Sequence, residues 1–596
     1  MTKLSFWGEL RRRHVVRAAI GHAVIFWLLV QVAEVVLPYL GIIDDPIRWT
    51  VIVGIALFPV TIIIAWFFDH PWHHDTGRRV FADVVVISMI AIAAGSWVLR
   101  NLPEGMQGRT SIVVMPFSTQ AENSLGQTVS RALAYEIISL LMKSRSIDVI
   151  RYESAASPVL AGMSHSEITS RLKVEHILAG TVRMNDKQMQ IRATLQDTLG
   201  NVLWHGDLDE DLDNLFKAQE ELAAGVAETL GSGDNVISVE TVAAQRCKMP
   251  TDASALERYY TARHSLEMRG QDLEYKPRES IELYEGLIEE YPDFAEAMAG
   301  LAWAYWVQPT YDREASYEEN HPKALALAKK AFAICGRLGE AMLLLPNKYD
   351  HENDWIGAEQ QFLAIIEMQP DKNEMFNKYS RHLGEAGRLR ESRRVARETY
   401  ELNPLSVRSI KAYAGVLQYS GDVDEAIAMY DLQTELGSRT PNFAIWQKER
   451  LACGKDLDCL LSEDQLFGPL LDHIDDLWIA GREPQNEEQA AESLAAARRV
   501  LVATRFINWA NATACDFDHL TPLFFDAWDA VENPSEWYAA NVWLPNCGNV
   551  WASDEFKVWA EEQGLVEYWR KYDWPDYCKA EGDSFVCAEP AVSTEG

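Results

Sequence analysis

The side chains that could do chemistry do not gather into a catalytic pattern. No Gly-x-Ser-x-Gly, no His-Glu-x-x-His and no phosphate-binding loop occurs, and Gly231-Ser232-Gly233-Asp234 is too short for the last and lacks a lysine. Asp69-His70-Pro71-Trp72-His73-His74-Asp75 concentrates metal-capable groups. His73 and His74 are adjacent, however, so they cannot share a helical face, and the spacing fits no zinc site. We read the segment as an interfacial turn with an aromatic anchor. Gln31 and Glu34, three apart, share a helical face; of an intramembrane relay and a pair of interhelical hydrogen bonds, we take the second. No catalytic residue, cofactor or metal ligand is assigned. What remains is binding chemistry. Asn347, Asn377, Arg381, Arg408, Lys411 and Gln418 are basic or amide side chains in an otherwise acidic chain, able to grip a carboxylate or an extended peptide. For each of them a solvated surface position is the alternative.

These six need an element to hold them on one face, and the sequence supplies it. Pro370 and Pro404 lie 34 residues apart, Gly387 and Gly421 keep the same step, and so do Ala358, Ser392 and Ala426. Phe362, Ala396 and Tyr430 repeat it again. A 34-residue period with small and aromatic residues at fixed offsets predicts tetratricopeptide repeats. Repeats fall at about 339–372, 373–406 and 407–440, with an earlier one from Ala295 interrupted around Pro309–Pro322 and a divergent first unit over 253–293. Tyr379-Ser380 and Tyr413-Ala414 replace the usual Leu-Gly. Such a stack shares one core and leaves a concave groove lined by first-helix residues, the six named above among them.

Before the repeats the period changes. Ser111–Phe117, Ile147–Arg151, His176–Arg183, Gln188–Gln196 and Val202–Leu208 read as strands, and Leu125–Lys143, Ser164–Leu172 and Leu212–Leu230 as helices. In the fourth strand Met189, Ile191, Ala193 and Leu195 alternate with polar residues, so one face is packed and the other wet. The order is that of an α+β domain over residues 110–232.

The first hundred residues are different again. Ala18–Leu40, Trp49–Phe68 and Val80–Leu99 are each long and apolar enough to cross a ~30 Å hydrocarbon layer. Lys3, Arg11, Arg12, Arg13 and Arg17 before the first, with Arg78 and Arg79 before the third, set the N-terminus in the cytoplasm and residues 101–596 outside it. The expected fold class is therefore multi-domain: three transmembrane α-helices (1–100), the α+β domain (110–232), an α-solenoid of tetratricopeptide repeats (253–440), a helical C-terminal extension or cap (441–587) and a disordered tail (588–596).

The 596-residue chain carries a net charge of −33, which argues against nucleic acid as a partner. All eight cysteines follow the apolar segments, as expected of an oxidising compartment. Cys453 with Cys459 and Cys578 with Cys587 are close enough to close short loops; Cys515 with Cys547 and Cys247 with Cys335 are the further pairings, and unpaired buried thiols the alternative. The C-terminal part is rich in Trp, and Asn511-Ala512-Thr513 is a glycosylation triplet by pattern alone.

Several of these stretches carry a resemblance. Ser111–Phe117, the run Leu178-Ala179-Gly180-Thr181-Val182-Arg183 and the Trp204…Phe216…Gln219 spacing resemble the TolB amino-terminal-like domain of bacterial envelope proteins. The apolar N-terminal part and Gly564–Cys587 are similar to the anchor and terminal segment of membrane-bound tetratricopeptide proteins. The resemblance implies a noncatalytic domain in which Gly180 and Trp204 are structural, and it favours a Cys578–Cys587 bridge. Some relatives carry an adenylate cyclase or winged-helix domain ahead of the anchor, where this sequence has only Met1–Arg17. The terminal segment, with Trp569 and Trp574, is expected to cap the solenoid. The function expected is a scaffold tethered in a bacterial inner membrane, with residues 101–596 periplasmic, binding a protein or peptide of the cell envelope without catalysis or cofactor. A transmembrane sensor acting through another membrane protein and an envelope hydrolase are the alternatives.

Overall fold

The computed structural model describes residues 109–119, 124–144, 146–185, 188–231, 247–270, 275–312, 314–336, 344, 353–368, 373–437, 441–453, 459, 470, 472–504, 507–529, 542–582 and 584–587. The chain from Arg109 to Gly596 forms one compact unit. It begins with β1 (Thr110–Val114), β2 (Ser118–Thr119), α1 (Ser124–Leu141), β3 (Ile147–Val149), α2 (Tyr152–Ala155), α3 (His165–Leu172), β4 (His176–Asn185), β5 (Gln188–Asp197), β6 (Val202–Asp211) and α4 (Leu215–Thr229). The sheet order is β3-β1-β4-β5-β6, with β2 beside β4. β1 runs parallel to β3 and β4, and β4, β5 and β6 form an antiparallel meander. The alternation in β5 sets its packing: Met189, Ile191, Ala193 and Leu195 are buried in one core with residues of α1 and α4. Helix α3 opens where the spacing predicts, at a capping box between Ser164 and Glu167. Gly180 is steric, since a Cβ there would strike the Phe117 ring and the Arg192 carbonyl; Trp204 similarly crowds Gly206 and Gly225.

From residue 253 the chain is helical: α5 (Ala253–Glu267), α6 (Pro277–Glu290), α7 (Ala295–Tyr311), α8 (Tyr317–Ile334), α9 (Trp355–Met368), α10 (Asn373–Glu385), α11 (Leu389–Leu402), α12 (Val407–Tyr419), α13 (Val423–Glu435) and α14 (Pro441–Cys453). The repeat is visible in the boundaries: α10 and α12 start 34 residues apart, and so do α11 and α13. Gly387 and Gly421 occupy the same turn of successive repeats with φ of +80° and +81°, the left-handed region that favours glycine. The apparent insertion around Pro309–Pro322 lengthens two helices, with Pro309 inside α7 and Pro322 inside α8. Aromatic residues fill the gaps between helices. Tyr284 presses on Gly300, and Phe362 meets Tyr379 with ring centroids 5.3 Å apart. A single hydrophobic core runs from the sheet through α5 to α11.

The remaining elements are α15 (Ile474–Ala480), α16 (Glu487–Thr504), α17 (Ile507–Asp516), α18 (Thr521–Asp529), α19 (Gly548–Trp551), α20 (Asp554–Glu562), α21 (Leu565–Lys571) and a hairpin of β7 (Cys578–Glu581) and β8 (Ser584–Cys587). This module reaches back to the turn between α10 and α11. The indole N–H groups of Trp543 and Trp569 donate to the Glu385 and Ala386 carbonyls, each at 2.9 Å. Those carbonyls lie at the C-terminal end of α10, where a helix runs out of its own backbone donors. The Asp576 amide donates to the Gly387 carbonyl at 2.9 Å. Trp574 packs beside Trp569 and Phe585. The terminal hairpin was not legible in the sequence, whose short segment between two cysteines gives no strand alternation.

Two expectations are corrected. Among the described residues no helix is long and apolar enough to cross a membrane, and the segments Ala18–Leu40, Trp49–Phe68 and Val80–Leu99, with Gln31, Glu34 and the Asp69–Asp75 turn, lie outside the described residues. The three-helix anchor therefore leaves the fold class, which is that of a mostly helical, tetratricopeptide-like protein with one α+β domain. The inner-membrane and periplasmic location, which rested on that anchor, leaves with it. Among the described residues the apolar helices are buried in the protein itself: in α7, Ala297, Met298, Leu301, Ala302 and Trp306 pack in the core. The expected tail 588–596 also lies outside the described residues.

A pair of glycines measures the docking of the C-terminal module. At Gly387 a Cβ would lie 2.7 Å from both Trp543 and Pro575, whereas Gly437, with φ of +75°, has nothing within 4 Å. Gly437→Ala should cost about 1 kcal/mol through its backbone alone. Gly387→Ala should cost about 3 kcal/mol, because the module must also shift; denaturant unfolding of both variants reads the difference.

Candidate functional site on the inner face of the repeats

The first helices of the repeats face the α+β domain, and the chain itself bridges the two. The Arg151 amide donates to the Leu402 carbonyl at 2.9 Å, at the point where β3 ends and α2 begins. The Ser154 hydroxyl donates to Asn403 Oδ1 at 2.5 Å and accepts from the Leu405 amide at 2.9 Å. Glu153, buried at the start of α2, accepts from Arg408 at 3.0 Å and from Asn403 at 3.2 Å through Oε2. Arg408 also donates to the Glu267 carbonyl at 3.2 Å. Arg263 of α5 pairs with Glu136 of α1 at 3.3 Å. These contacts place α1 and α2 over the concave surface.

Between them remains a cavity of about 170 Å³. Tyr135 and Tyr152 stack in its wall with centroids 3.8 Å apart, and the Arg263 guanidinium lies 4.8 Å over the Tyr135 ring. Tyr259 and Trp303 extend the aromatic wall, and Asn377, Arg408, Arg151, Arg269 and Glu296 supply polar groups. Burial pushes the Tyr135 hydroxyl well above its ordinary range, with a further push from neighbouring Tyr152, and burial lifts Tyr152 to about 12. Both stay neutral hydroxyls at physiological pH.

The six groove residues predicted from register separate. Asn377 and Arg408 both line the cavity, and Asn377 Nδ2 also reaches Ser409 Oγ at 3.4 Å. Arg381 pairs with Glu385 one turn along its own helix at 3.4 Å. Lys411 is half-buried on α12, away from the cavity. Gln418 is buried and accepts from Tyr430 at 3.0 Å. Asn347 lies outside the described residues. The open groove expected from the repeats is thus closed at Arg408 by the chain's own domain. Register places a residue on the inner face but does not reveal what else occupies that face.

A second polar cluster, unseen in the sequence, lies where α9, α10 and α11 meet α21. Glu359 is 1 % exposed. Its carboxylate accepts from Tyr379 at 2.9 Å, Tyr568 at 3.0 Å and Arg388 at 3.1 Å, and His382 Nε2 lies 3.0 Å away. Burial alone would raise the Glu359 pKa. The hydrogen bond and charge of His382, the charge of Arg388 and the hydrogen bond from Tyr379 outweigh it and hold the group at about 2. The donors come from residues far apart in sequence, so no local pattern announces them. The cluster locks the C-terminal module onto the repeats. Among the described residues no group of His, Cys, Asp and Glu is arranged to hold a metal ion. The eight cysteines pair as Cys247–Cys335, Cys453–Cys459, Cys515–Cys547 and Cys578–Cys587, and Cys578 and Cys587 face each other across the terminal hairpin.

The sequence matches no protein-family model and no curated protein. Among solved structures the chain is similar to a human IFIT1 dimer with PPP-AAAA, at 13% identity and a TM-score of 0.30, covering 56% of this chain and 83% of that one. It is also similar to yeast Tom70, at 10% identity and a TM-score of 0.23, covering 61% of this chain and 81% of that one. Overlap this slight carries no argument; the helical-repeat assignment rests on the helix boundaries and turns described above.

Two predictions follow from these clusters. The folded pKa of Glu359 lies below its ordinary value of 4.5. Its contribution is therefore complete above about pH 4.5 and is lost as the pH falls toward about 2, a shift worth roughly 3 kcal/mol. Glu359→Gln should lower stability at neutral pH by about that amount and flatten this part of the acid-unfolding profile. Arg408→Ala leaves the buried Glu153 carboxylate without its cation and should cost about 3 kcal/mol, whereas Arg408→Met combined with Glu153→Gln should cost less. Equilibrium unfolding of the single and double variants checks the sign of the coupling.

Proposed function

We propose that the chain is a noncatalytic, repeat-based scaffold whose concave face binds a protein or peptide partner alongside its own α+β domain. The observation that carries this reading is the shared inner surface: first helices of successive repeats and helices α1 and α2 enclose one cavity bearing both charges and an aromatic wall. Arg381 and Lys411 lie on α10 and α12, the first helices of their repeats. The absence of catalysis is supported by the burial of the most acid–base-like pair, Glu359 and His382, which are 1 % and 0 % exposed and enclosed by Tyr379, Tyr568 and Arg388. For residues 110–232 we propose a TolB amino-terminal-like domain, on the sheet order and on the steric roles of Gly180 and Trp204.

Arg381→Glu combined with Lys411→Glu should abolish recovery of a stoichiometric partner by the full chain. Asp207→Lys, on the distant strand β6, should leave it intact. Recovery indifferent to the concave-face variants would remove the reading, and turnover by the purified chain in an activity screen would remove its noncatalytic part.

A further inference from the structure

The far edge of the sheet is open. β6 is the last strand in the order β3-β1-β4-β5-β6, and among the described residues only β5 pairs with it. It is ten residues long, and an edge strand presents a row of backbone N–H and C=O groups to any chain that can pair with it. Its side chains alternate. Trp204, Gly206, Leu208 and Glu210 are half-buried on the side of α4, while Leu203, His205, Asp207, Asp209 and Asp211 are exposed on the other.

Two properties of the exposed row select what can pair there. At its start the register with β5 slips: Leu195 faces Trp204 but Gln196 faces Val202, so Leu203 is the extra residue of a bulge. Val202 and Leu203 are 55 % and 45 % exposed, and Leu199, in the turn before the strand, is 85 % exposed. Large apolar side chains exposed side by side mark a contact surface. Toward its end the row is acidic. Asp207 meets Arg192 at 3.4 Å, with both side chains well exposed. Asp209 and Asp211 accept from the neutral amides of Gln190 and Gln188. A second copy of the chain does not fit this edge. Antiparallel self-pairing centred on Asp207 would set Asp207 against its copy and Leu203 against Asp211, and like charges directly opposite are destabilising. A strand with cationic residues at alternate positions in its first half and apolar residues in its second half meets a complement along the whole row. Its antiparallel addition continues the meander of β4, β5 and β6.

We propose that β6 takes up an extended basic segment of a partner protein as a further antiparallel strand. Backbone hydrogen bonds hold it, its lysines or arginines face Asp207, Asp209 and Asp211, and its apolar residues cover Leu203, Val202 and Leu199. The site lies at the edge of the sheet opposite β3, the strand that ends where the domain meets the repeats. It is therefore separate from the concave face and does not depend on it.

The test uses the full chain and a capped nonapeptide, read by calorimetry. The peptide carries lysine at its first, third and fifth positions, valine at the seventh, leucine at the ninth and threonine between them. It should bind, and more tightly as the salt concentration falls. In a paired strand the backbone groups of alternate residues face opposite sides. N-methylation of one alternate set of residues should therefore weaken binding by about tenfold or more, the equivalent of 1.4 kcal/mol, and N-methylation of the other set should leave it nearly unchanged. Asp207→Lys combined with Asp209→Lys, both at exposed positions, should weaken binding by about tenfold or more at an unchanged melting temperature. Arg381→Glu combined with Lys411→Glu should not affect it, so this site and the concave face fail separately. Absence of binding at millimolar peptide, equal effects of the two N-methylated sets, or binding indifferent to the aspartate variants would each overturn the proposal. Self-association of the full chain that Leu203→Lys abolishes would give the edge to a second copy and overturn it as well.

Discussion

The contact on which the rest depends joins the turn after β3 to the loop after α11. There Glu153 meets Arg408 and Asn403, the Arg151 amide meets the Leu402 carbonyl, and Ser154 bridges Asn403 and the Leu405 amide. It is a mixed contact, part backbone and part buried ion pair, and each component supports the others. The Arg151–Leu402 backbone bond, with the Leu405 amide on Ser154, fixes the separation of the two segments. That fixed separation lets a buried carboxylate keep its cation, and such a pair is favourable only in good geometry. The hydrophobic core that runs from the sheet into the repeats supplies the main driving force. The polar contact selects where on the concave surface the domain sits, and so creates the cavity.

The repeats themselves were legible because they repeat. Two turns 34 residues apart adopt the same positive φ at Gly387 and Gly421, so the constraint left the same residue twice in the sequence. The strands of the α+β domain were legible for the same kind of reason, since Met189 to Leu195 alternate with the pleat. Gly180 and Trp204 entered through a resemblance, and the structure gives each a steric cause.

What was not legible is what depends on distant residues meeting. Glu359 draws donors from α10, α21 and the start of α11, and nothing around residue 359 signals a carboxylate destined for burial. The occupation of the groove is of the same kind. Arg408 has the register of a ligand-binding residue and also that of a docking residue, and only the position of Glu153, 255 residues earlier, decides between them. The apolar N-terminal segments were read from their length, their hydropathy, the basic residues around them and a resemblance, and they lie outside the described residues.

The central claim is that the α+β domain and the repeats form one cooperative body with the concave face closed at Arg408. Native-state hydrogen exchange of the Arg151 and Leu405 amides addresses it most directly, because both are bonded across the junction. If the two parts unfold together, these amides exchange with the same opening free energy as the core amides of α5 and α12. If the domain lifts off the repeats as a unit, the two amides exchange rapidly while both cores stay protected, and the claim is wrong.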